Sequence, residues 1–208
     1  MLINSNSLPV RIVGVGTMSV DLKEFLIDEK INAEIIKFED AVLDTDADAY
    51  QYLVVTIKSL ELRKKILDWI DENNFHSPVY VHDRAFVQCA NQLGPGTIVY
   101  PMASVLKSTV GRHVMIAPNC HVGHYAELNN RVLMLPGSMV LGSSVVAANT
   151  LIQTGATVKD NVKITAGSVN ILPRALVTRD IDVAGTYGGT PARRISGITS
   201  LTCDYFNQ

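Results

Sequence analysis

The sequence predicts an α/β N-terminal domain with a small parallel sheet over residues 1–81, followed by a parallel β-helix with a C-terminal tail over residues 82–208. Three observations predict it. Strand and helix signals alternate before residue 82, an aliphatic residue recurs at every sixth position beyond it, and the composition favours small and branched side chains over rings and charges. At 47% hydrophobic, 18% charged and 6% aromatic, the chain falls below the ~25% charge usual in soluble domains. It carries enough apolar matter to exclude intrinsic disorder.

In the first part, Val10-Arg11-Ile12-Val13-Gly14-Val15-Gly16 reads as a buried strand running into a glycine turn. Ser19 is the expected N-cap of a helix whose Leu22, Phe25 and Leu26 share one face. Ala33–Phe38 and Tyr52–Ile57 read as strands. Ser59 is a second expected N-cap, before a helix with Leu62, Ile66, Trp69 and Ile70 at helical spacing, and Pro78–Val81 closes the series as a short strand. This order implies parallel strands joined by crossover helices.

Beyond residue 82, Val110, Ile116, Val122, Leu128, Met134, Val140, Val146, Ile152, Val158 and Ile164 fall six residues apart without a break. Four residues after each comes a small or branched side chain: Val114, Cys120, Ala126, Val132, Ser138, Ser144, Thr150, Ala156, Val162 and Ser168. Leu93, Val99 and Val105 continue the repeat upstream, with one residue deleted between Val105 and Val110. A six-residue period fits neither a helix nor a two-faced strand. It fits a triangular coil with one hexad per face, the aliphatic residue pointing inward and the small one filling the narrow corner. The rung residues are therefore core, and function belongs to the positions between them.

Charge and cysteine usage narrow the classes. With 18 basic and 20 acidic residues the net charge is −2, and no basic run exceeds Arg63-Lys64-Lys65, which argues against nucleic acid as a partner. No basic and apolar leader opens the chain and no apolar run approaches ~20 residues, so a cytoplasmic protein off the membrane is expected. Cys89, Cys120 and Cys203 share no metal spacing, and reduced thiols without a metal site are expected.

The hexad repeat, followed by Val177-Thr178-Arg179-Asp180-Ile181 and by Gly185-Thr186-Tyr187-Gly188-Gly189-Thr190-Pro191-Ala192-Arg193-Arg194-Ile195, resembles the left-handed β-helix acyltransferases that use acetyl-CoA. The Gly14-Val15-Gly16 turn, and His82-Asp83-Arg84-Ala85 opening the repeat, narrow the resemblance to the sialic acid O-acetyltransferase and bacillosamine-type N-acetyltransferase group. It covers almost the whole chain. It implies a left-handed coil, a homotrimer with the acetyl-CoA groove between neighbouring β-helices, and a nucleotide-linked amino sugar, held partly by the N-terminal domain, as acceptor in surface polysaccharide biosynthesis.

Acetyl transfer needs a base to take the proton of the attacking amine or hydroxyl, most often a histidine. Of five histidines, His76 reads as a loop residue, and His82 and His113 lie at the edge of the repeat. His121 and His124 lie off the inward positions within it. The resemblance selects His124 as the base, since Val122-Gly123-His124 matches the family's register and Pro136-Gly137 follows at the family's distance. The chain departs from the pattern at four places. Gly123 and Tyr125 stand where the family carries acidic residues beside the histidine, Leu133 replaces a second histidine, and Thr17-Met18 replaces a histidine after the glycine turn. Whether Glu127 reaches His124 is open at this point.

By the same resemblance, the later coils and tail line the coenzyme groove. Gly142, Gly155, Ala156 and Gly167 let the chain approach a ligand closely, and Arg193 and Arg194 face its phosphates. Gly14 and Gly16 before a helix N-terminus present amides to phosphate, and Glu39 and Asp40 follow the second strand where the family holds its nucleotide. Three readings of function stand. They are an acetyl-CoA-dependent N- or O-acetyltransferase of a nucleotide-linked sugar, an acetyltransferase of a small non-sugar amine, and a catalytically altered relative that binds or supports structure.

Overall fold

The computed structural model describes residues 8–14, 16–55, 60–88 and 92–195. These fall into two compact units, one ending at Tyr80 and one beginning at Val81.

The first unit holds a parallel sheet of three strands, β1 (Val10–Val13), β2 (Ala33–Ile36) and β3 (Gln51–Val54), in the order β2-β1-β3. β1 sits in the middle, paired with both neighbours, and is buried along its whole length. Helices α1 (Thr17–Asp28), α2 (Phe38–Val42) and α3 (Leu60–Glu72) connect or follow the strands. Most of the unit's ring-bearing residues gather behind β3: Trp69 packs edge-on to Tyr52 and Phe38, with centroids 5.5 and 5.8 Å away, and lies 4.9 Å from Phe75.

Several local expectations are corrected here. Ser19 is not the N-cap of α1. Gly16 takes that place at φ 127°, a backbone state that excludes most side chains, and Ser19 is buried inside the first turn. The expected strand Ala33–Phe38 ends at Ile36, and Phe38 opens α2, with Glu39 and Asp40 beside it. They form the first turn of α2, where carboxylates favour the positive end of the helix dipole. In α3 the buried stripe is Arg63, Ile66, Leu67 and Ile70, leaving Leu62 exposed. Ser59 and the end of the expected strand Tyr52–Ile57 lie outside the described residues.

Arg11 is a charge in an otherwise apolar strand, and β2 answers it. Its Nε lies 2.7 Å from Glu34, its register partner, its guanidinium pairs with Asp44, and the Tyr50 ring lies 3.4 Å below it. Burial pushes the guanidinium pKa down, but hydrogen bonds to Glu34, Tyr52 and Asp44 outweigh it and the net direction is up. Asp44 is held below its ordinary 3.8 by the Asp46 backbone N–H and by Arg11. A depressed carboxyl stabilises the fold above its unfolded pKa and loses that contribution as pH falls through the folded one. Asp44→Asn should therefore narrow the difference in melting temperature between pH 7 and about pH 3; an unchanged difference would contradict the pairing.

The second unit is a parallel β-helix with three sheets. The first face stacks Phe86–Val87, Ser104–Val105, His121–Val122, Met139–Val140, Thr157–Val158 and Leu176–Val177. The second stacks Thr109–Val110, Glu127–Leu128, Val145–Val146 and Lys163–Ile164. The third includes Ile98–Val99, Met115–Ile116, Leu133–Met134, Leu151–Ile152, Val169–Ile171 and Gly185–Gly188, edged by the antiparallel Arg193–Ile195. Pairing of Val122 with Val140 and of Val140 with Val158 sets one coil at eighteen residues, three hexads. All ten rung residues from Val110 to Ile164 are buried.

The expected deletion is present. Val105 pairs with Val122, seventeen residues on, because the corner between Val105 and Val110 is one residue short. An insertion that the period did not reveal follows Ile164. Val169, not Ser168, fills the inward corner position, and Ser168 is exposed at φ 58° on a corner lengthened by one residue. On the third face even the outward residues Ile98, Met115, Leu133 and Leu151 are buried. Cys120 is a buried free thiol whose pKa burial raises, and Cys89 and Cys203 lie outside the described residues.

Candidate active site

The corner between the first and second faces starts from Val122, which points inward. Gly123 follows because a Cβ there would stand 2.6 Å from the backbone N of Gly142 on the next coil. His124 is then the first residue free to project, and it is exposed. Tyr125 makes the turn at φ 60°, its ring 68% exposed, and Ala126 returns to the core. The next coil repeats this path as Leu141-Gly142-Ser143-Ser144. The Ser143 N–H donates to the His124 carbonyl at 2.8 Å, and a Cβ on Gly142 would lie 3.3 Å from that same oxygen. The backbone that carries the exposed His124 and the bare backbone of Gly142 thus stack one above the other.

Among the described residues, the His124 ring has no hydrogen-bond partner and the Gly142 N–H has no acceptor. Glu127 makes no ion pair with His124; it stands in the outward column of the second face, beside Thr109 and Val145. Tyr125 places its ring 6.1 Å from that of His124. Leu133 is buried on the third face, away from this corner.

The other histidines are differently placed. His121 projects from the first face with its Nδ1 2.8 Å from Ser104 Oγ on the preceding coil. His113 is buried against Gly96, where a Cβ would fall 2.1 Å from its Nδ1. His82 Nδ1 lies 2.7 Å from the Asp83 carboxylate. His76 is exposed.

No protein-family model matches the chain, and no curated protein matches it in sequence. Solved structures do match. The acetyltransferase domain of PglB from Neisseria gonorrhoeae FA1090 superposes with a TM-score of 0.81 at 20% identity, over 91% of this chain and 100% of that one. The chain has the fold of that domain. The same domain in complex with acetyl coenzyme A gives 0.78 at 20% identity, again over 91% and 100% of the two chains. PerB from Caulobacter crescentus, in complex with CoA and GDP-perosamine, gives 0.67 at 20% identity over 90% of this chain and 97% of that one.

Within this PglB-like fold, the residues singled out in the sequence do not all converge. His124 and Gly142 come together. Gly155 and Ala156 lie at the corner between the third and first faces, where Ala156 is fully buried, and Gly167 lies at the corner between the second and third. Arg193 and Arg194 are exposed on the C-terminal hairpin, where each guanidinium donates to a nearby carbonyl, Ala192 and Ala184 respectively. Gly14 and Gly16 flank the turn into α1, both at positive φ, while Glu39 and Asp40 are exposed on α2. Ser104 was not singled out, although counting one shortened coil back from His121 leads to it.

Proposed function

We infer that this protein is an acetyl-CoA-dependent acetyltransferase that transfers acetyl to an amino or hydroxyl group of a nucleotide-linked sugar. The observation that carries the reading is an exposed, unbonded imidazole at His124 on a coil stacked against that of Gly142, whose N–H is uncommitted among the described residues. The likeness to the PglB domain that binds acetyl coenzyme A, and to PerB with its GDP-perosamine, supports it.

In this reading His124 takes the proton of the attacking amine or hydroxyl as its nitrogen or oxygen bonds to the thioester carbon. The carbon–sulfur bond then breaks, and the protonated His124 returns the proton to the departing CoA thiolate. Negative charge gathers on the thioester oxygen in between. In this reading the Gly142 N–H is the donor that meets it, and as backbone it needs no reorganisation. Binding both substrates in line supplies much of the remaining acceleration, with no metal and no covalent enzyme intermediate.

Gly155, Gly167, Arg193 and Arg194 fit a coenzyme groove completed by neighbouring chains of a homotrimer, whereas Ala156 is buried inside the coil and does not. The exposed apolar Phe86 and Met139 on the first face, with Met102 at its edge, suit such packing. Gly14 and Gly16 at the N-terminus of α1 suit a nucleotide phosphate, with Glu39 and Asp40 as further nucleotide contacts. A cytoplasmic place in surface polysaccharide synthesis belongs to the same reading. Among the described residues no helix is long and apolar enough to cross a membrane.

The missing orienting carboxylate beside His124 favours a second reading, a relative that binds acetyl-CoA without transferring it. Thiol release from acetyl-CoA in the presence of GDP-perosamine and of UDP- and dTDP-linked amino sugars separates the two. Turnover with at least one sugar is expected. Acetyl-CoA binding without release would favour the second reading, and release only with serine or another small amine would move the acceptor away from sugars.

A further inference from the structure

The outward column of the first face runs Phe86, Ser104, His121, Met139, Thr157, Leu176 in pairing register, and His121 is its single titratable side chain. It is half-buried, with Nδ1 fixed 2.8 Å from Ser104 Oγ. The contact fits either tautomer; where Oγ–H donates to Nδ1, Nδ1 carries no proton. The neutral ring then carries its proton on Nε2, the nitrogen turned away from the wall.

Three residues on stands His124, and no side chain separates them outside the coil. Val122 points inward and Gly123 has none, nor can it have one against the Gly142 backbone. The two imidazoles therefore border one strip of bare backbone. On the far side of His124 the next coil offers the Gly142 N–H, the place assigned above to the acyl oxygen. His121 is tied instead to the preceding coil through Ser104, on the side left for the acceptor.

We propose that His121 is a specificity-determining residue whose Nε2–H donates to an oxygen of the acceptor sugar next to the group being acetylated, with Ser104 as its positioning residue. The proposal rests on the acetyl-transfer reading above. A sugar surrounds its reacting amine or hydroxyl with hydroxyl oxygens, and a fixed donor that meets one of them holds the nucleophile in register with His124. A site built to bond such an oxygen discriminates strongly against acceptors that lack it.

Conservative variants separate this role from a structural one, because a glutamine amide reaches where Nε2 stands and an asparagine amide reaches where Nδ1 stands. With GDP-perosamine and the UDP- and dTDP-amino sugars as acceptors, His121→Asn should lower kcat/KM for the sugar by roughly tenfold or more. His121→Gln should retain most of it, and KM for acetyl-CoA should move in neither. Ser104→Ala should raise the sugar KM several-fold. Nitrogen-15 imidazole spectra of the free protein should show His121 as the Nε2–H tautomer, a preference weakened in Ser104→Ala.

An Nδ1–H tautomer, or His121→Asn matching or exceeding His121→Gln in an active enzyme, overturns the proposal alone. So does an equal loss that also raises KM for acetyl-CoA. Wild-type protein that releases no thiol with any of these sugars overturns the functional reading first, and the role of His121 falls with it.

Discussion

His124→Ala lowers acetyl transfer by roughly 10²–10⁴-fold while leaving acetyl-CoA bound and the protein folded. The size follows from the loss of a general base. The selectivity follows from the geometry, since the ring is exposed, bonds to no described residue and supports no core packing. Removing a surface side chain of this kind shifts stability by about 0.5 kcal/mol or less, so thermal melts of variant and wild type should nearly coincide. His121→Ala, measured beside it by thiol release, should cost far less, because an acceptor contact is lost while the base remains. Equal turnover in His124→Ala and wild type would remove His124 from the chemistry.

The β-helix was legible because inward positions obey a strict rule. A coil of three faces has no room for a polar or bulky rung, so the aliphatic period from Val110 to Ile164 survives intact, and the shortfall between Val105 and Val110 shows as a phase slip. The insertion after Ile164 was not legible. Ala166, Gly167 and Ser168 are all acceptable at a corner, and only the pairing of Ile152 with Ile171 shows that a residue was added.

In the first unit, serine and glycine both announced the start of α1, and the backbone angle decided for Gly16. From the sequence Arg11 falls in a buried strand without a partner for it, since Glu34 and Asp44 reach it only in the folded unit.

The active corner divides the same way. The hexad frame put His124 outside the core from sequence alone, and the exposed ring agrees. The Ser104–His121 pair needs the exact coil length, which the deletion shortens to seventeen residues, so a regular eighteen-residue count misses it. The three glycines fall at three different corners because a tight turn favours glycine wherever a coil bends. Small residues mark close approach without saying what approaches.

Gly123→Ala and Gly142→Ala are expected to fail in different ways, although they sit on facing coils of one corner. At Gly123 the added methyl would stand 2.6 Å from Gly142 N and 2.9 Å from the Leu141 carbonyl carbon, all of it backbone. No side chain can turn aside, so the coils must part where Gly123 N–H donates to the Val140 carbonyl at 2.8 Å. Overpacking of this kind costs about 1–3 kcal/mol, and it also displaces His124, the next residue. Both melting temperature and thiol release should drop.

At Gly142 the methyl meets only the His124 carbonyl oxygen, at 3.3 Å, which the neighbouring backbone can accommodate by a few tenths of an ångström. The fold should then melt near the wild-type temperature. In the proposed reading, however, the methyl stands beside the N–H that meets the thioester oxygen, and keeping the oxygen from one such donor costs on the order of 10²–10³ in turnover. A Gly142→Ala protein with wild-type turnover would move the acyl oxygen to another donor. A Gly123→Ala protein as stable as wild type would mean that the coils at this corner sit farther apart than the stacked geometry requires.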